Sequence, residues 1–424
     1  MNDSPMRRFS DFGNRFTRPT GALELMEDLG NAMTGEADVL MLGGGNPGRV
    51  PAIQEALSER LREIASNAEA VDRLLGNYAH PRGEHGFRES VAGLLRRELG
   101  WAVAAGNIAL TGGSQSAFFM LFNLFGGRSS GSMRRVVLPM TPEYVGYSDV
   151  GLDDGLFVSQ RPIIEFREGP YFKYRLDIER LKLDESTAAV CVSRPTNPTG
   201  NVLTDTEMDA LAQACRKRQV PLIVDAAYGH PFPGIVFTDA TPQWNENIIY
   251  CLSLSKLGLP AVRTGIVVAD EETIEALTKM TAVMSLAVSS VGPVIVQPWM
   301  DDGSVLRLSR DHIKPFYQGK LERACRWLIE SLHGVPYKIH EPEGALFLWV
   351  WIPGLPITSG ELYRRLKAAG VFVLSGEAFF PGLTGDWDHR HECLRLSYAQ
   401  DDDVVRRGIA RLGEELRRVF DVGQ

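Results

Sequence analysis

The chain has 424 residues, of which 44% are hydrophobic, and a formal net charge of −8 at pH 7. This length and composition are typical of a globular protein with a large core, built as two domains or as one elaborated α/β unit. Because the basic residues are scattered and the net charge is negative, the sequence offers no contiguous positive field for nucleic acid or an anionic membrane. We therefore expect small-molecule partners.

The cysteines and the ends of the chain bear on its location. Five cysteines form no CxxC pair, and their odd number favours buried thiols in a reducing compartment, of which the cytoplasm fits best. The charged N-terminus is not followed by an apolar stretch, so we expect no secretory signal. Residues 280–300 contain no charged residue, but their prolines, glycine and glutamine make a poor membrane span, and we predict a buried or site-lining segment.

Short apolar runs alternate with helical patterns between about residues 75 and 300. The runs are "NIALTGG", "RRVVLPM", "AAVCVSRP", "VPLIVDAAY", "NIIYCLSLSK" and "TGIVVAD". Several are apolar on both faces, which is typical of strands buried in a mostly parallel sheet. The segment "LTDTEMDALAQACRKR" predicts a helix that begins after Thr204, with Glu207 completing a capping box.

The pattern changes after residue 300. A charged amphipathic helix is followed by "GALFLWVWIP", "ELYRRLKAAGVFVLSG", "CLRLSYAQ" and a C-terminal helix, which indicates an α+β unit. We therefore predict an α/β fold with three parts: an N-terminal segment over residues 1–74 that joins the small domain and the site rim, a large doubly wound domain over 75–300, and a small domain over 301–424.

In folds of this kind, ligands bind beyond the carboxyl ends of the strands. The first such place is "TGGSQSAFF", where Gly113, Ser114 and Gln115 begin a predicted helix. The free backbone N–H groups at a helix start favour an anion such as a phosphate. Helix capping without any ligand is the alternative interpretation. The next is "SRPTNPTG", where Asn197 lies between prolines, although a rigid turn alone would need only the prolines and glycine.

The following strand ends carry charge. Asp225 ends a strongly apolar strand, with Tyr228 three residues later, and a buried carboxylate is costly unless a cation or donor meets it. Lys256 lies in "SLSKLGLPAVRTG", where an apolar setting and the nearby Arg263 would lower its pKa and make it a nucleophilic amine. Taken singly, a structural carboxylate and a snorkelling lysine remain open alternatives.

Taken together, this ordered set resembles the aspartate aminotransferase superfamily of fold type I pyridoxal-phosphate enzymes. The resemblance implies that Lys256 binds pyridoxal 5′-phosphate covalently, that Asp225 pairs with the ring nitrogen, and that Asn197 and Tyr228 contact the phenolic oxygen. Ser253, Ser255 and Arg263 would join the start of the phosphate-binding helix around the phosphate, and Tyr144 in "TPEYVGY" would stack on the ring.

The resemblance also implies the substrate contacts and the assembly. Gly45, Asn197 and Arg395 would bind the substrate α-carboxylate, and Tyr78 in "NYAHPRG" would reach the phosphate of a neighbouring subunit, which implies a homodimer. Further matches, "MLGGGNP", "FPGIVF" and "FFPGL" among them, point within the family to transfer of an amino group from L-valine to pyruvate, giving 2-oxoisovalerate and L-alanine.

Other interpretations of the same residues are an aminotransferase with a different donor, a lyase on the same scaffold, and a ligand-sensing regulator. The regulator would need a DNA-binding extension that the residues before the glycine run are too few to form. A dicarboxylic donor would need a second cation near its distal carboxylate. Residues 280–300 supply none, although Arg18 or Arg161 could approach.

The motif "DHRHEC" raises the question of a metal site. His389, His391 and Cys393 alternate as metal ligands on one face of a strand would, but a fourth ligand is missing, and we predict no metal.

Overall fold

Two β-sheets form the framework of the molecule, for which the computed structural model describes residues 8–18, 23, 27, 30 and 39–422. The strands are β1 Leu40–Met41, β2 Ile108–Thr111, β3 Gly127–Ser129, β4 Ser132–Leu138, β5 Phe157–Ser159, β6 Ile163–Phe166, β7 Tyr171–Arg175, β8 Thr187–Ser193, β9 Leu222–Asp225, β10 Ile248–Ser253, β11 Gly265–Val268, β12 Lys338–His340, β13 Phe347–Trp351, β14 Val371–Phe372, β15 Leu374–Ser375 and β16 Cys393–Ser397.

The α-helices pack around these sheets. They are α1 Asp11–Phe16, α2 Pro51–Ala65, α3 Ala68–Leu75, α4 His85–Leu99, α5 Ser114–Phe125, α6 Asp205–Arg218, α7 Glu271–Ser285, α8 Val291–Asp301, α9 Ser304–Leu308, α10 Lys314–Ser331, α11 Ser359–Ala368 and α12 Asp402–Val422. The predicted capping box is confirmed at α6, where the Thr204 hydroxyl accepts a hydrogen bond from the backbone N–H of Glu207 and the Glu207 carboxylate accepts one from the N–H of Thr204.

The larger sheet has eight strands in the order β2-β11-β10-β9-β8-β4-β3, with β5 beside β4. The central pairs from β10 to β4 are parallel, whereas β11, β2 and β3 are antiparallel to their neighbours. Every residue of β8, β9 and β10 is buried, because helices cover both faces of the sheet. The prediction of a mixed, mostly parallel sheet is thus confirmed.

The second sheet has six strands in the order β15-β16-β13-β12-β7-β6. It combines strands from the C-terminal part of the chain with β6 and β7, which come from the middle. The short β1 pairs in parallel with β14, so the N-terminal segment meets the C-terminal part of the chain. The predicted domain boundaries stay a prediction.

Residues 280–300 form the end of α7, a connection and most of α8. The segment is not buried throughout, because Val283, Met284 and Leu286 near its start are exposed in the single chain, and the alternative that it lines a site stays a prediction. No helix in the described ranges has the length and apolar character needed to cross a membrane. All five cysteines are free thiols, of which four are buried and Cys325 is half-buried.

Candidate active site

The strand ends of the larger sheet bring the predicted residues together. Asp225 ends β9 and pairs in register with Ser193 at the end of β8 and with Cys251 on β10. On the other side, Gly265 pairs with both Ser253 and Thr111. Since the carboxyl ends of parallel strands meet at one edge, the side chains that follow β8, β9 and β10 converge there.

Lys256 lies in a short 3₁₀ turn, Ser255–Leu257, immediately after β10. Its Nζ donates a hydrogen bond of 2.5 Å to the carbonyl oxygen of Gly45 and lies 5.2 Å from the centroid of the Tyr228 ring. Burial, and then the positive charges of Arg395 and Arg263, lower the pKa of Lys256 to about 8, while Asp225 opposes the shift. The neutral, nucleophilic form of this lysine is therefore far more populated near physiological pH than that of an ordinary lysine, although the protonated form is still the major one at pH 7.

Asp225 is a buried carboxylate with two donors. Its Oδ1 accepts a hydrogen bond from the backbone N–H of Ala227 at 3.0 Å, and its Oδ2 accepts one from the Tyr147 hydroxyl at 2.8 Å. Burial raises the pKa of Asp225, whereas these hydrogen bonds and the charge of Lys256 act in the opposite direction. A cationic ring nitrogen is the kind of ligand group that would favour the ionised form further.

Arg395 lies in the middle of β16 and is 1% exposed. One terminal nitrogen donates to Asn197 Oδ1 at 2.8 Å, the other donates to the Gly43 carbonyl at 2.5 Å, and the guanidinium lies 4.0 Å from the Phe347 ring centroid. Burial lowers the pKa of Arg395 to about 10, so it stays a cation at neutral pH. Its Nε is buried with no hydrogen-bond partner among the described residues, which fits a carboxylate ligand.

The start of α5 fits a phosphate group. Gly113 has a φ of +91°, and a Cβ there would lie 2.4 Å from a terminal nitrogen of Arg263, so only glycine allows this approach. Within the described ranges, the buried Ser114 Oγ and Gln115 Oε1 have no hydrogen-bond partner, although Gln115 Nε2 donates to the Gly146 carbonyl at 2.9 Å. Unpartnered polar atoms, a helix N-terminus and an arginine together suit an anion.

The remaining predicted cofactor residues lie around these groups. Tyr228 is buried against the edge of Phe347, and Tyr144 is half-buried with its ring 5.4 Å from that of Tyr147. Ser253 and Ser255 are both buried, and the Ser253 hydroxyl accepts a hydrogen bond from the backbone N–H of Ser255 at 3.1 Å. The contact shown by Ser253 therefore stabilises the turn that carries Lys256.

Other predicted residues lie apart from this cluster. Tyr78 is 89% exposed. Arg18 lies 3.6 Å from Asp154, and Arg161 donates to the Asp386 carbonyl at 2.6 Å while lying against Trp387. The partners of both arginines are thus other residues than Lys256 and Arg395, and the cations that act on Lys256 are Arg395 and Arg263.

The interpretation of "DHRHEC" as a strand with alternating ligands is wrong. Residues Asp388–His391 form a 3₁₀ turn, and β16 begins only at Cys393. His389 contacts the Tyr174 hydroxyl, whereas His391 Nδ1 lies 2.6 Å from a Glu377 oxygen, so the two imidazoles have different partners. No group of His, Cys, Asp or Glu suited to a metal occurs among the residues the structure describes.

Sequence reasoning missed three residues that connect to Asp225: Tyr147, Ser193 and Glu143. The Tyr147 hydroxyl lies 3.3 Å from Ser193 Oγ, and Ser193 Oγ lies 2.5 Å from Glu143 Oε2. A signal was present, because Glu143 and Tyr147 flank Tyr144 in "TPEYVGY". A glutamate is rarely buried without a partner, so its place beside an aromatic residue in an apolar stretch indicated that other polar groups lie near it.

The fold and this site define an aminotransferase. The family model for aminotransferase class I and II matches residues 37–412, and the chain belongs to that family. The resemblance inferred from the motifs is confirmed, as are the fold type I architecture and pyridoxal 5′-phosphate as the cofactor. The substrates are small molecules, an amino acid and a 2-oxo acid.

Three relatives show how far the similarity extends. Valine–pyruvate aminotransferase from Escherichia coli K12 is 46% identical over 97% of this chain and 99% of its own. The crystal structure of a putative amino-acid aminotransferase from Psychrobacter arcticum 273-4 matches with a TM-score of 0.95 and 43% identity, over 98% of this chain and 99% of the other. That of valine–pyruvate aminotransferase from Salmonella typhimurium LT2 has a TM-score of 0.87 and 45% identity, over 95% and 100%.

Proposed function

We propose that this protein transfers the amino group of an apolar amino acid, L-valine, to pyruvate, giving 2-oxoisovalerate and L-alanine. The observation that carries the choice of substrates is the 46% identity, over 97% of the chain, to the E. coli enzyme named for valine and pyruvate.

Pyridoxal phosphate, when bound, supplies an electron sink for a substrate carbanion. Lys256 would hold it covalently and, once freed by the donor amine, would carry the proton that leaves the substrate Cα. Asp225 would keep a proton on the ring nitrogen, while Tyr228 and Asn197 would hold the phenolic oxygen. Tyr144 would cover one face of the ring.

The phosphate would lie at the start of α5, held by Gly113, Ser114 and Gln115 together with Ser253, Ser255 and Arg263. Arg395 would bind the α-carboxylate, with Gly45 and Asn197 beside it, and so fix the orientation of the reacting carbon. Because the donor and the acceptor both carry that carboxylate, they would use the same clamp in turn, which predicts ping-pong kinetics.

We also infer that the protein works as a homodimer in the cytoplasm. Tyr78 supports the dimer, because an 89% exposed tyrosine in a matched motif is available to a neighbouring subunit. The five free cysteines support a reducing compartment.

A donor panel tests the proposed substrates. With pyruvate as acceptor and alanine formation as the readout, we expect valine to be among the best donors and to give parallel double-reciprocal plots. Glutamate or aspartate exceeding valine by orders of magnitude would refute the assignment of substrate while leaving the family intact. Arg395→Ala should lose activity with every donor alike, and Lys256→Ala should show no turnover.

A further inference from the structure

A chain of buried polar groups leads from Asp225 to a second carboxyl group. Asp225 accepts from the Tyr147 hydroxyl at 2.8 Å, Tyr147 lies 3.3 Å from Ser193 Oγ, and Ser193 Oγ lies 2.5 Å from Glu143 Oε2. Glu143 and Tyr147 are 0% exposed and Ser193 is 1% exposed. The chain is thus closed to solvent along its length.

The two carboxyl groups differ in their surroundings. Asp225 faces the positive charge of Lys256 and the position proposed for the ring nitrogen. Glu143 has no ion-pair partner among the described residues, and its other Ser193 contact is the backbone N–H at 3.0 Å. A buried carboxylate without a cation is costly, and a second anion in the same network adds repulsion.

The groups that face Glu143 do not remove this cost. They are Ser193, the backbone N–H of Tyr144, the Tyr147 hydroxyl, the Cys191 thiol and Asp225. Burial keeps the pKa values of Tyr147 and Cys191 well above their ordinary values, so both stay neutral. Burial likewise raises the pKa of Glu143 to about 8, with the charge of Asp225 acting in the same direction.

We propose that Glu143 is a positioning residue that stays protonated and, through Ser193 and Tyr147, directs a chain of hydrogen bonds toward Asp225 to keep it ionised. The Glu143 carboxylic acid donates to Ser193 Oγ, the Ser193 hydroxyl donates to the Tyr147 oxygen, and the Tyr147 hydroxyl donates to Asp225 Oδ2. The inference rests on the proposed function and deepens it, because only an ionised Asp225 holds a proton on the ring nitrogen.

Infrared spectroscopy of the holoenzyme locates the proton. With ¹³C-labelled glutamate, we expect a carbonyl band of a protonated carboxyl group at pH 7 that shifts with the label, disappears in Glu143→Gln and weakens as the pH rises through 8. Absence of a label-sensitive band at pH 7, or its persistence in Glu143→Gln, would overturn the proposal.

Cofactor binding tests the direction of the chain. Glu143→Gln keeps a neutral donor and an acceptor for Ser193, so the cofactor dissociation constant and the ¹⁵N shift of a labelled ring nitrogen should match wild type. Ser193→Ala interrupts the chain at its longest contact, and we expect about a fivefold weaker cofactor affinity and a ring-nitrogen shift toward the unprotonated form.

Tyr250→Phe is the matched control for Tyr147→Phe, because Tyr250 is also a buried tyrosine but lies on β10 and donates to the His230 carbonyl at 2.9 Å, outside the chain of hydrogen bonds. Tyr147→Phe should alter the ¹⁵N shift and Tyr250→Phe should not. Equal effects of the two variants, or a Glu143→Gln shift as large as that of Ser193→Ala, would refute the directed chain. The proposed function is tested separately by valine–pyruvate turnover of the wild-type enzyme. If that turnover is present while the variants give the refuting results, only the chain of hydrogen bonds is wrong.

Discussion

Two buried cations and one buried anion give the site its chemistry. Lys256 and Arg395 both lose solvation and their pKa values fall by similar amounts, but they start from different values, so the lysine pKa comes to about 8 and the arginine pKa to about 10. The same environment therefore yields an amine that readily reaches its neutral, nucleophilic form and an arginine that stays a cation and can bind a carboxylate. Arginine in place of Lys256 could not perform the first role, since it stays protonated.

The lowered pKa of Lys256 predicts how the apoprotein takes up its cofactor. The neutral amine is the reactive form, so the rate of covalent attachment should rise with pH, reach half its maximum near pH 8 and become level above about pH 9. Absorbance stopped-flow over this pH range measures it, with Nα-acetyl-lysine as the control amine, whose rate should still rise near pH 10. A midpoint near 10 for the protein would contradict the burial argument.

At the scale of elements, helix α6 shows a local sequence signal that also serves the tertiary structure. The Glu207 carboxylate that caps the helix also accepts a hydrogen bond from the backbone N–H of Leu176, just after β7, at 3.0 Å. This glutamate thus joins the helix to the second sheet. The capping box was visible in the sequence, whereas the Leu176 contact was not, because it depends on where β7 lies.

We expect Thr204→Ala to lower the free energy of unfolding by about 1 kcal/mol, the usual effect of removing an N-cap hydroxyl. Thr358→Ala is the matched control, since Thr358 caps α11 by accepting from the Glu361 N–H at 3.2 Å. Urea denaturation should give similar losses for both threonines but a larger loss for Glu207→Ala than for Glu361→Ala. Equal losses for the two glutamates would show that the bonds of Glu207 to the N–H groups of Leu176 and Thr204 contribute no more than the ion pairs of Glu361 with Arg364 and Arg365.

The sequence sufficed for the parts of the site that follow strand ends. Asp225 and Lys256 could be placed because a polar residue after a fully apolar strand is unusual, and the register then brought them to one edge. The partners of Asp225 were harder to foresee, because Tyr147 lies in a connection whose path local propensity does not determine. The second sheet was also beyond prediction, since its pairing of β7 with β12 joins distant segments.

For the whole molecule, the exposure of Tyr78 separates the single chain from the proposed assembly. If Tyr78 completes the phosphate site of a neighbouring subunit, neither chain holds a complete site alone. Such sharing can be tested with mixed dimers, in which one subunit carries a substitution of Tyr78 and the other a substitution of Lys256. Both substitutions then affect the same one of the two sites.

Tyr78→Ala should weaken cofactor binding without removing Lys256, and Lys256→Ala should abolish turnover. In a mixed dimer of the two variants, one site carries both defects and the other carries neither. At a cofactor concentration too low to saturate Tyr78→Ala, unfolding and refolding the variants together should therefore give more activity than either variant alone, with cofactor affinity at wild-type strength in the restored sites. Phe166→Ala, at another exposed aromatic residue, is the control and should bind cofactor normally. Mixtures that are no more active than Tyr78→Ala alone at this cofactor concentration, or a monomer in sedimentation, would refute the shared site.

The contact between Arg395 and the Gly43 carbonyl joins positions 352 residues apart. During synthesis at roughly 5–20 residues per second, about 20–70 s pass between the two entering the chain. The sheet strands that carry Asp225 and Lys256 are made in that interval, but the carboxylate clamp must wait for β16. A growing chain can therefore form the strands that carry Asp225 and Lys256 well before it contains the residue that binds the substrate carboxylate, and the clamp shared by all donors and acceptors is completed last.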